Sequence, residues 1–362
     1  MPTPSVTLVH DYLTQRGGAE RVVLSAQKAF PEAILHTSLY DPDATFPEFR
    51  DARIATLPLD RVRLLRRNHR LALPLLAPAF SRYRVEADVV LCSSSGWAHG
   101  VAADGRKVVY CHAPARWLYQ TRAYLGGRHS AAGIGLAFLR PYLRRWDRRA
   151  AASADRYLAN STVVRDRIRA VYGIDAEVVP PPPALDPAGP QEAVEGIEPG
   201  FVLCVSRLLP YKNVDAVVEA FAGLPHERLV VVGTGPAEGN LRAAAGANVR
   251  LVGSVTDEQL RWLYASSAGL VAASYEDYGL TPLEAASFGR PAAVLRAGGF
   301  LDTVVEGETG VFLDRLEPRA IAAAVRELER GWDEAALRRH AATFSEKRFI
   351  ERLRAIVLEE AS

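Results

Sequence analysis

The chain has 362 residues, 49% hydrophobic and 24% charged, with a formal net charge of +2. That length exceeds one ordinary hydrophobic core and suits two domains, and so small a net charge argues against nucleic acid as a partner. No run of about 18 apolar residues is present to span a membrane, and three widely spaced cysteines (Cys92, Cys111, Cys204) without a CxxC pair exclude a disulfide framework or a zinc site.

Those cysteines end apolar runs and read as buried thiols of a reducing compartment. The opening "MPTPSVTLVHDY" lacks the charged and apolar regions of a secretory leader, so a cytoplasmic protein is expected.

Strand-like runs in the first half are VTLVH (6–10), AILHTS (33–38), DVVLC (88–92), KVVYC (107–111), RYLAN (156–160) and AEVVP (176–180). The second half continues with FVLCVS (201–206), RLVVVG (228–233), VRLVG (249–253), AGLVAA (268–273), PAAVL (291–295) and GVFL (310–313). Short apolar runs separated by helical segments predict α/β units with parallel sheets covered on both faces. Six prolines between Pro181 and Gly200 mark a linker. The expected organisation is a Rossmann-like, doubly wound domain over 1–183, a linker at 184–200, and a second such domain over 201–342. A terminal segment, 343–362, has helical spacing at Phe349, Ile350, Leu353, Ile356, Val357 and Leu358, which by itself does not choose a domain to pack on. Ligands of such sheets bind outside the carboxyl ends of the strands, and two facing domains make the cleft between them the natural site.

In chain order, Gly17 and Gly18 come first, between the first strand and a helix, where the backbone is able to approach a ligand closely. Asp41 and Asp43 form a DxD beside a proline, which reads as a plain turn rather than a metal site. Arg61–Arg84 holds seven arginines, no acidic residue and six interleaved leucines, and "LRPYLRRWDRRAAA" is a second basic stretch. Contact with an anionic membrane and a solvated or acceptor-lining face fit these stretches equally. His112 directly follows a strand, a position more often structural than catalytic, though at the cleft edge. Arg207 ends a strand and Lys212 precedes a helix beginning near Asn213. A guanidinium fork plus an ammonium makes a clamp for a diphosphate. Lysine is otherwise scarce, at Lys28, Lys107 and Lys347 only, against 40 arginines. Gly233, Gly235 and Gly239 form GxGxxxG, one residue too long for the dinucleotide fingerprint and without its acidic partner, which disfavours a dehydrogenase.

The densest stretch is "SYEDYGLTPLEAASFGRP", Ser274–Pro291. It reads as a strand ending at Glu276, a turn, and a helix with Thr281 as N-cap and Pro282 as first residue, stopping at Gly289. Thr281 to Glu284 is then a capping box, a structural reason for Glu284. Glu276 has no such reason. Free N–H groups from about Leu280 to Leu283 at a helix N-terminus suit a phosphate, and carboxylates beside it suit the hydroxyls of a ribose and a sugar. The arrangement fits a nucleotide sugar.

On these residues the chain resembles the retaining glycosyltransferases of family GT4, with the GT-B fold of two Rossmann-like domains facing a cleft. The motifs are the pair Glu276 and Glu284 spaced E-x7-E, the R-x4-K of "SRLLPYK", the "VVGTGP" loop, "GGAERV", and "ANSTVVRDRI…VVPPP", together covering nearly the whole chain. The resemblance implies an acceptor-binding N-terminal domain, a nucleotide-sugar-binding C-terminal domain, and a last helix that crosses back to the first. It implies that Arg207 and Lys212 bind the donor diphosphate with the N–H groups of Gly279, Leu280 and Thr281, beside Tyr278, and with the Gly17–Gly18 loop. Glu284 would hold the ribose, Glu276 the transferred sugar near the reacting face, and His112 the donor sugar. No cofactor and no metal is implied. Ser206, Tyr278 and Asp302 depart from the usual glycine, phenylalanine and glutamate, which loosens the inference to the donor sugar. "HDYLTQRGGAERVV" with "YCHAPARWLY" looks closest to bacterial mannosyltransferases of polysaccharide and O-antigen assembly, so GDP-mannose is the favoured donor, with a UDP-sugar next. A glycan, lipid-linked or small-molecule acceptor is expected, together with a candidate peripheral membrane contact through Arg61–Arg84. The rival readings are a sugar-nucleotide epimerase of the same fold and a two-lobed sugar-binding protein.

Overall fold

The computed structural model describes residues 4–120 and 131–362, without the side chains of Arg70 and of 131–138. The chain forms two compact units, Met1–Pro181 with Glu346–Ser362, and Pro182–Ser345.

The first unit is built on β1 (Val6–His10), β2 (Leu35–Thr37), β3 (Ile54–Thr56), β5 (Val89–Ser94), β7 (Arg106–Cys111), β8 (Arg156–Ala159) and β9 (Glu177–Val178), while β4 (Arg84–Val85) and β6 (Ala102–Ala103) pair separately. The sheet order is β3-β2-β1-β5-β7-β8-β9, parallel throughout. Alternate residues feed two cores. Leu8, Leu35, Leu91, Val108 and Leu158 lie in one, and Val9, Cys92, Val109, Tyr157 and Ala159 in the other. Burial on both faces is why these strands read as continuous apolar runs.

The helix Glu346–Glu360 supplies Phe349, Leu353, Ile356 and Val357 to the first of those cores, beside Val22, Val23 and Ala26 of the helix Gly18–Ala29. Its register is held by Lys28 Nζ to Glu346 Oε2 at 2.8 Å and by Arg354 Nε donating to the Ala29 carbonyl at 2.8 Å. The expected strands are present with ends shifted by a few residues. Sequence reading missed β3, whose three residues are too few to show a period.

The second unit has β10 (Phe201–Val205), β11 (Leu229–Val232), β12 (Val249–Gly253), β13 (Ser267–Ala272), β14 (Ala292–Leu295) and β15 (Gly310–Leu313), parallel in the order β12-β11-β10-β13-β14-β15. The proline-rich segment 184–200 lies along this unit. Leu185 is buried, Val194 and Ile197 pack on the same core, and Arg261 Nε donates to the Asp186 carbonyl at 3.0 Å.

In each sheet the strand order reverses direction once, between β1 and β5 and between β10 and β13. Loops leaving the carboxyl ends of two such strands diverge and leave a crevice, the usual ligand position in open α/β sheets.

Candidate functional site

Lys212 and Glu276 sit on the two loops that leave the switch point of the second sheet. After β10 the chain makes a short turn, Pro210–Lys212, that ends at Asn213 with φ 52°. This is a left-handed conformation which asparagine tolerates better than most residues. Asn213 Nδ2 donates to the Ala273 carbonyl at 2.9 Å and ties the two loops together. Lys212 Nζ then donates to Glu276 Oε1, and Ser274 Oγ donates to the same oxygen at 2.5 Å. The Lys212 and Glu276 side chains are 12% and 21% exposed, enough to meet a ligand and too little for free solvation.

Two expectations for this stretch are corrected. The strand β13 ends at Ala272, so Glu276 lies four residues beyond it on a loop. The helix spans Leu280–Ser287 with Gly279 as N-cap at φ 93° and no side-chain cap, so Thr281 is not the N-cap and the capping box is absent. Gly279 turns the chain earlier than Thr281 would have, leaving Thr281 and Pro282 inside the first turn and Glu284 too far along to reach back. Glu284 is instead buried, and its Oε2 accepts the Tyr264 hydroxyl at 2.7 Å. Burial, and then the Glu284 charge, push the Tyr264 phenol well above its usual range, so it stays a donor. Its ring stacks on Phe288 at 5.6 Å.

The loop carrying Glu276 is braced from "GGFLDTV". Gly299 N donates to the Glu276 carbonyl at 2.8 Å, and a Cβ on Gly298, at φ +66°, would stand 2.2 Å from that oxygen. Tyr278 is buried there, its phenol raised by burial and by Asp302. The "VVGTGP" glycines serve the other loop: a Cβ on Gly233 would stand 1.9 Å from the Ser206 carbonyl, and one on Gly235 2.5 Å from that of Leu208. They let two loop backbones touch, so the off-register spacing has a packing cause. Arg207 projects from the same loop with an exposed side chain that makes no hydrogen bond or ion pair with Lys212 or Glu276. Beneath, Cys204 is buried and its thiol is pushed up to about 12.

In the first unit, His112 follows β7 and is half-buried. Its Nε2 lies 2.8 Å from Ser93 Oγ, which lies 3.0 Å from His10 Nδ1. His10 and Ser93 are register partners across the β1–β5 switch point. His10 Nε2 is 3.8 Å from Glu20 Oε1, both side chains being almost fully buried. Burial depresses the His10 pKa, but the nearby Glu20 carboxylate, and then the Asp11 charge, outweigh it and leave the pKa raised. Glu20 is correspondingly lowered, its burial outweighed by His10 and by Gln15, whose Nε2 donates at 3.0 Å. The Asp11 carboxylate accepts from Ser95 N at 2.7 Å and Ala98 N at 2.6 Å. A Cβ on Gly17 would stand 2.7 Å from Glu20 Oε2. Gly17, the N-cap of the helix Gly18–Ala29, therefore lies over the buried pair. The DxD is a turn, with Asp43 N donating to Asp41 Oδ1 at 3.2 Å and Asp43 paired to Arg50 at 2.9 Å.

Sequence reading did not find Ser274, Tyr264, Ser93, His10 or Glu20. Tyr264 carries no motif, and the "CSSSG" run of small polar residues that closes β5 was the one available signal for Ser93.

The architecture matches solved structures end to end. Anabaena Alr3699/HepE, crystallised with UDP and glucose, superimposes with a TM-score of 0.71 over 99% of this chain and 100% of that one, at 16% identity. Sucrose-phosphate synthase of Thermosynechococcus elongatus gives 0.64 over 98% and 95%, at 20% identity. These likenesses place the protein in the GT-B fold class. Residues 16–186 match the family described as Glycosyltransferase Family 4, and residues 190–347 that described as Glycosyl transferases group 1. The chain belongs to the glycosyltransferases of this family 4, group 1 type. Among curated relatives, the D-inositol 3-phosphate glycosyltransferase of Geodermatophilus obscurus is 31% identical over 56% of this chain and 52% of its own. The GDP-mannose-dependent alpha-(1-6)-phosphatidylinositol monomannoside mannosyltransferase of Mycolicibacterium smegmatis is 28% identical over 54% of this chain and 58% of its own. The chain thus spans about half the length of the curated relatives it matches.

Proposed function

We propose that this protein transfers a hexose from a nucleoside-diphosphate sugar to a hydroxyl of a glycan, lipid-linked or small-molecule acceptor, with retention of anomeric configuration. The observation that carries the reading is the Lys212–Glu276–Ser274 group on the two loops of the second sheet's switch point. In the reaction the bond from the anomeric carbon to the diphosphate oxygen breaks, and a bond to the acceptor oxygen forms on the same face. The departing phosphate oxygen takes the acceptor proton. Charge developing on the diphosphate is met by Lys212, Arg207 and the N–H groups at the start of the helix Leu280–Ser287, so no metal is called upon. Glu276 orients the transferred sugar, Glu284 accepts from the ribose hydroxyls, and His112 contacts the donor sugar.

GDP-mannose is the favoured donor, on the motif likeness and the GDP-mannose-dependent relative. A UDP-sugar is the second choice, because a solved structure of the same fold holds UDP-glucose. Exposed Val62, Leu64, Leu71 and Leu75, interleaved with exposed Arg61, Arg63 and Arg67, support a peripheral contact with an anionic membrane. Among the described residues no helix is long and apolar enough to cross one.

Calorimetry with GDP-mannose, UDP-glucose and the free nucleotides tests the clamp. One nucleotide should bind, and Arg207→Ala/Lys212→Ala should weaken it by ~100-fold or more. Equal binding by the double variant, or no binding by the unmutated protein, overturns the reading.

A further inference from the structure

Glu20, His10 and Ser93 are buried and polar and lie in a row, an ion-pair contact at 3.8 Å followed by a hydrogen bond at 3.0 Å, and the transfer chemistry above uses none of them. A lone buried carboxylate or imidazolium is expensive, and pairing them is what makes either tolerable. His10, 2% exposed, has Glu20 Oε1 at 3.8 Å from Nε2, and its Nδ1 faces the Ser93 carbonyl, an oxygen that can only accept, so Nδ1 carries a proton. His10 Nδ1–H is thus a donor, and its acceptors are Ser93 Oγ at 3.0 Å and the Ser93 carbonyl at 3.2 Å. A serine hydroxyl that accepts there still has one proton to give. The acceptor within reach is His112 Nε2 at 2.8 Å. Nε2 is then bare, and the single ring proton of His112 is on Nδ1.

We infer that Glu20, His10 and Ser93 are positioning residues that lock His112 in its Nδ1–H tautomer, leaving Nδ1–H as the ring's one donor toward a sugar hydroxyl. Reversing one proton reverses the chain. If His10 were neutral with Nδ1 bare, Ser93 would donate to it, and His112 would have to donate from Nε2. Glu20 sets which arrangement holds, and Gly17 leaves the space its carboxylate fills. Burial, and then the His10 charge, hold the His112 pKa at about 3, in keeping with a ring that stays neutral. The tautomer assignment stands on these contacts alone. The sugar contact rests on the role proposed above for His112.

The test is long-range 15N–1H correlation on 15N-histidine-labelled protein at neutral pH, with His112→Asn assigning the signals. His112 should show a protonated Nδ1 and a bare Nε2. The opposite pattern, or an imidazolium at His112, overturns the inference. Glu20→Gln should move His112 toward the Nε2–H form, and Ser93→Ala, which removes only a hydroxyl, should release it to the ordinary tautomer mixture. An unchanged spectrum in a folded Ser93→Ala protein also overturns the inference. In Ser93→Ala, kcat should fall ~10- to 100-fold with donor Kd within about twofold. A released tautomer with unchanged kcat would uphold the chain and remove His112 from the sugar site, so the two readings fail separately.

Discussion

Tyr264→Phe isolates one oxygen. The Tyr264 ring is fully buried and stacked on Phe288 at 5.6 Å and 11°, a contact phenylalanine keeps. What disappears is the hydroxyl that donates to Glu284 Oε2 at 2.7 Å, inside a region where Glu284 is only 7% exposed. A hydrogen bond to a charged group contributes about 1.5–3 kcal/mol, and a buried carboxylate deprived of a donor bears the upper part of that range. The variant should therefore lose ~2 kcal/mol in the denaturant-induced transition of the second unit, with unchanged slope. If Glu284 also holds the ribose, its released carboxylate should weaken nucleotide binding by ~10-fold, or about 1.4 kcal/mol. Tryptophan fluorescence during urea titration and calorimetry with the donor nucleotide give the two numbers. A stability loss under about 0.5 kcal/mol would refute the buried bond. The full stability loss with unchanged nucleotide affinity would confine Glu284 to the core.

Two predictions follow from the first unit. His112, at about 3 in the folded protein against an ordinary value near 6.5, stays unprotonated while the unfolded chain takes up a proton. Stability should thus fall on acidification between about pH 6 and pH 4, by up to ~1.4 kcal/mol per pH unit, and His112→Asn should flatten that limb in urea titrations; an equal slope in the variant refutes the shift. His10 has the opposite sign, because its raised pKa gives stability that is present in acid and lost as pH rises through the folded value. Leu64 and Leu71, 64% and 49% exposed among arginines, should bring the protein down with phosphatidylglycerol vesicles at low salt and not with phosphatidylcholine. Leu64→Asp/Leu71→Asp sedimenting equally would remove the membrane contact.

Much was legible in the chain before any coordinates. Apolar runs such as VTLVH and KVVYC announce buried parallel strands because a strand covered on both faces has no polar side to show. Lys212 stands out in a chain rich in arginine, and Glu276 stands out because no local motif accounts for it. These are properties of neighbours in sequence, and periodicity and composition report such properties well.

Tertiary structure decided what depends on residues far apart in the chain. Thr281 and Glu284 satisfy the spacing of a capping box, yet Gly279 turns the chain first and Glu284 finds Tyr264, 20 positions away, instead. The glycines of "VVGTGP", one residue off the dinucleotide fingerprint, and those of "GGFLDTV" prove to be seats for the backbones that carry Arg207 and Glu276. Spacing at the end of the chain shows a helix, and only packing puts Phe349 against Tyr110 at 5.8 Å. The chain from Glu20 through His10 and Ser93 to His112 spans two strands, a helix and a loop, with no motif in common. Hydrogen bonds between strands join residues by register rather than by spacing, and register is set when the whole sheet closes its core.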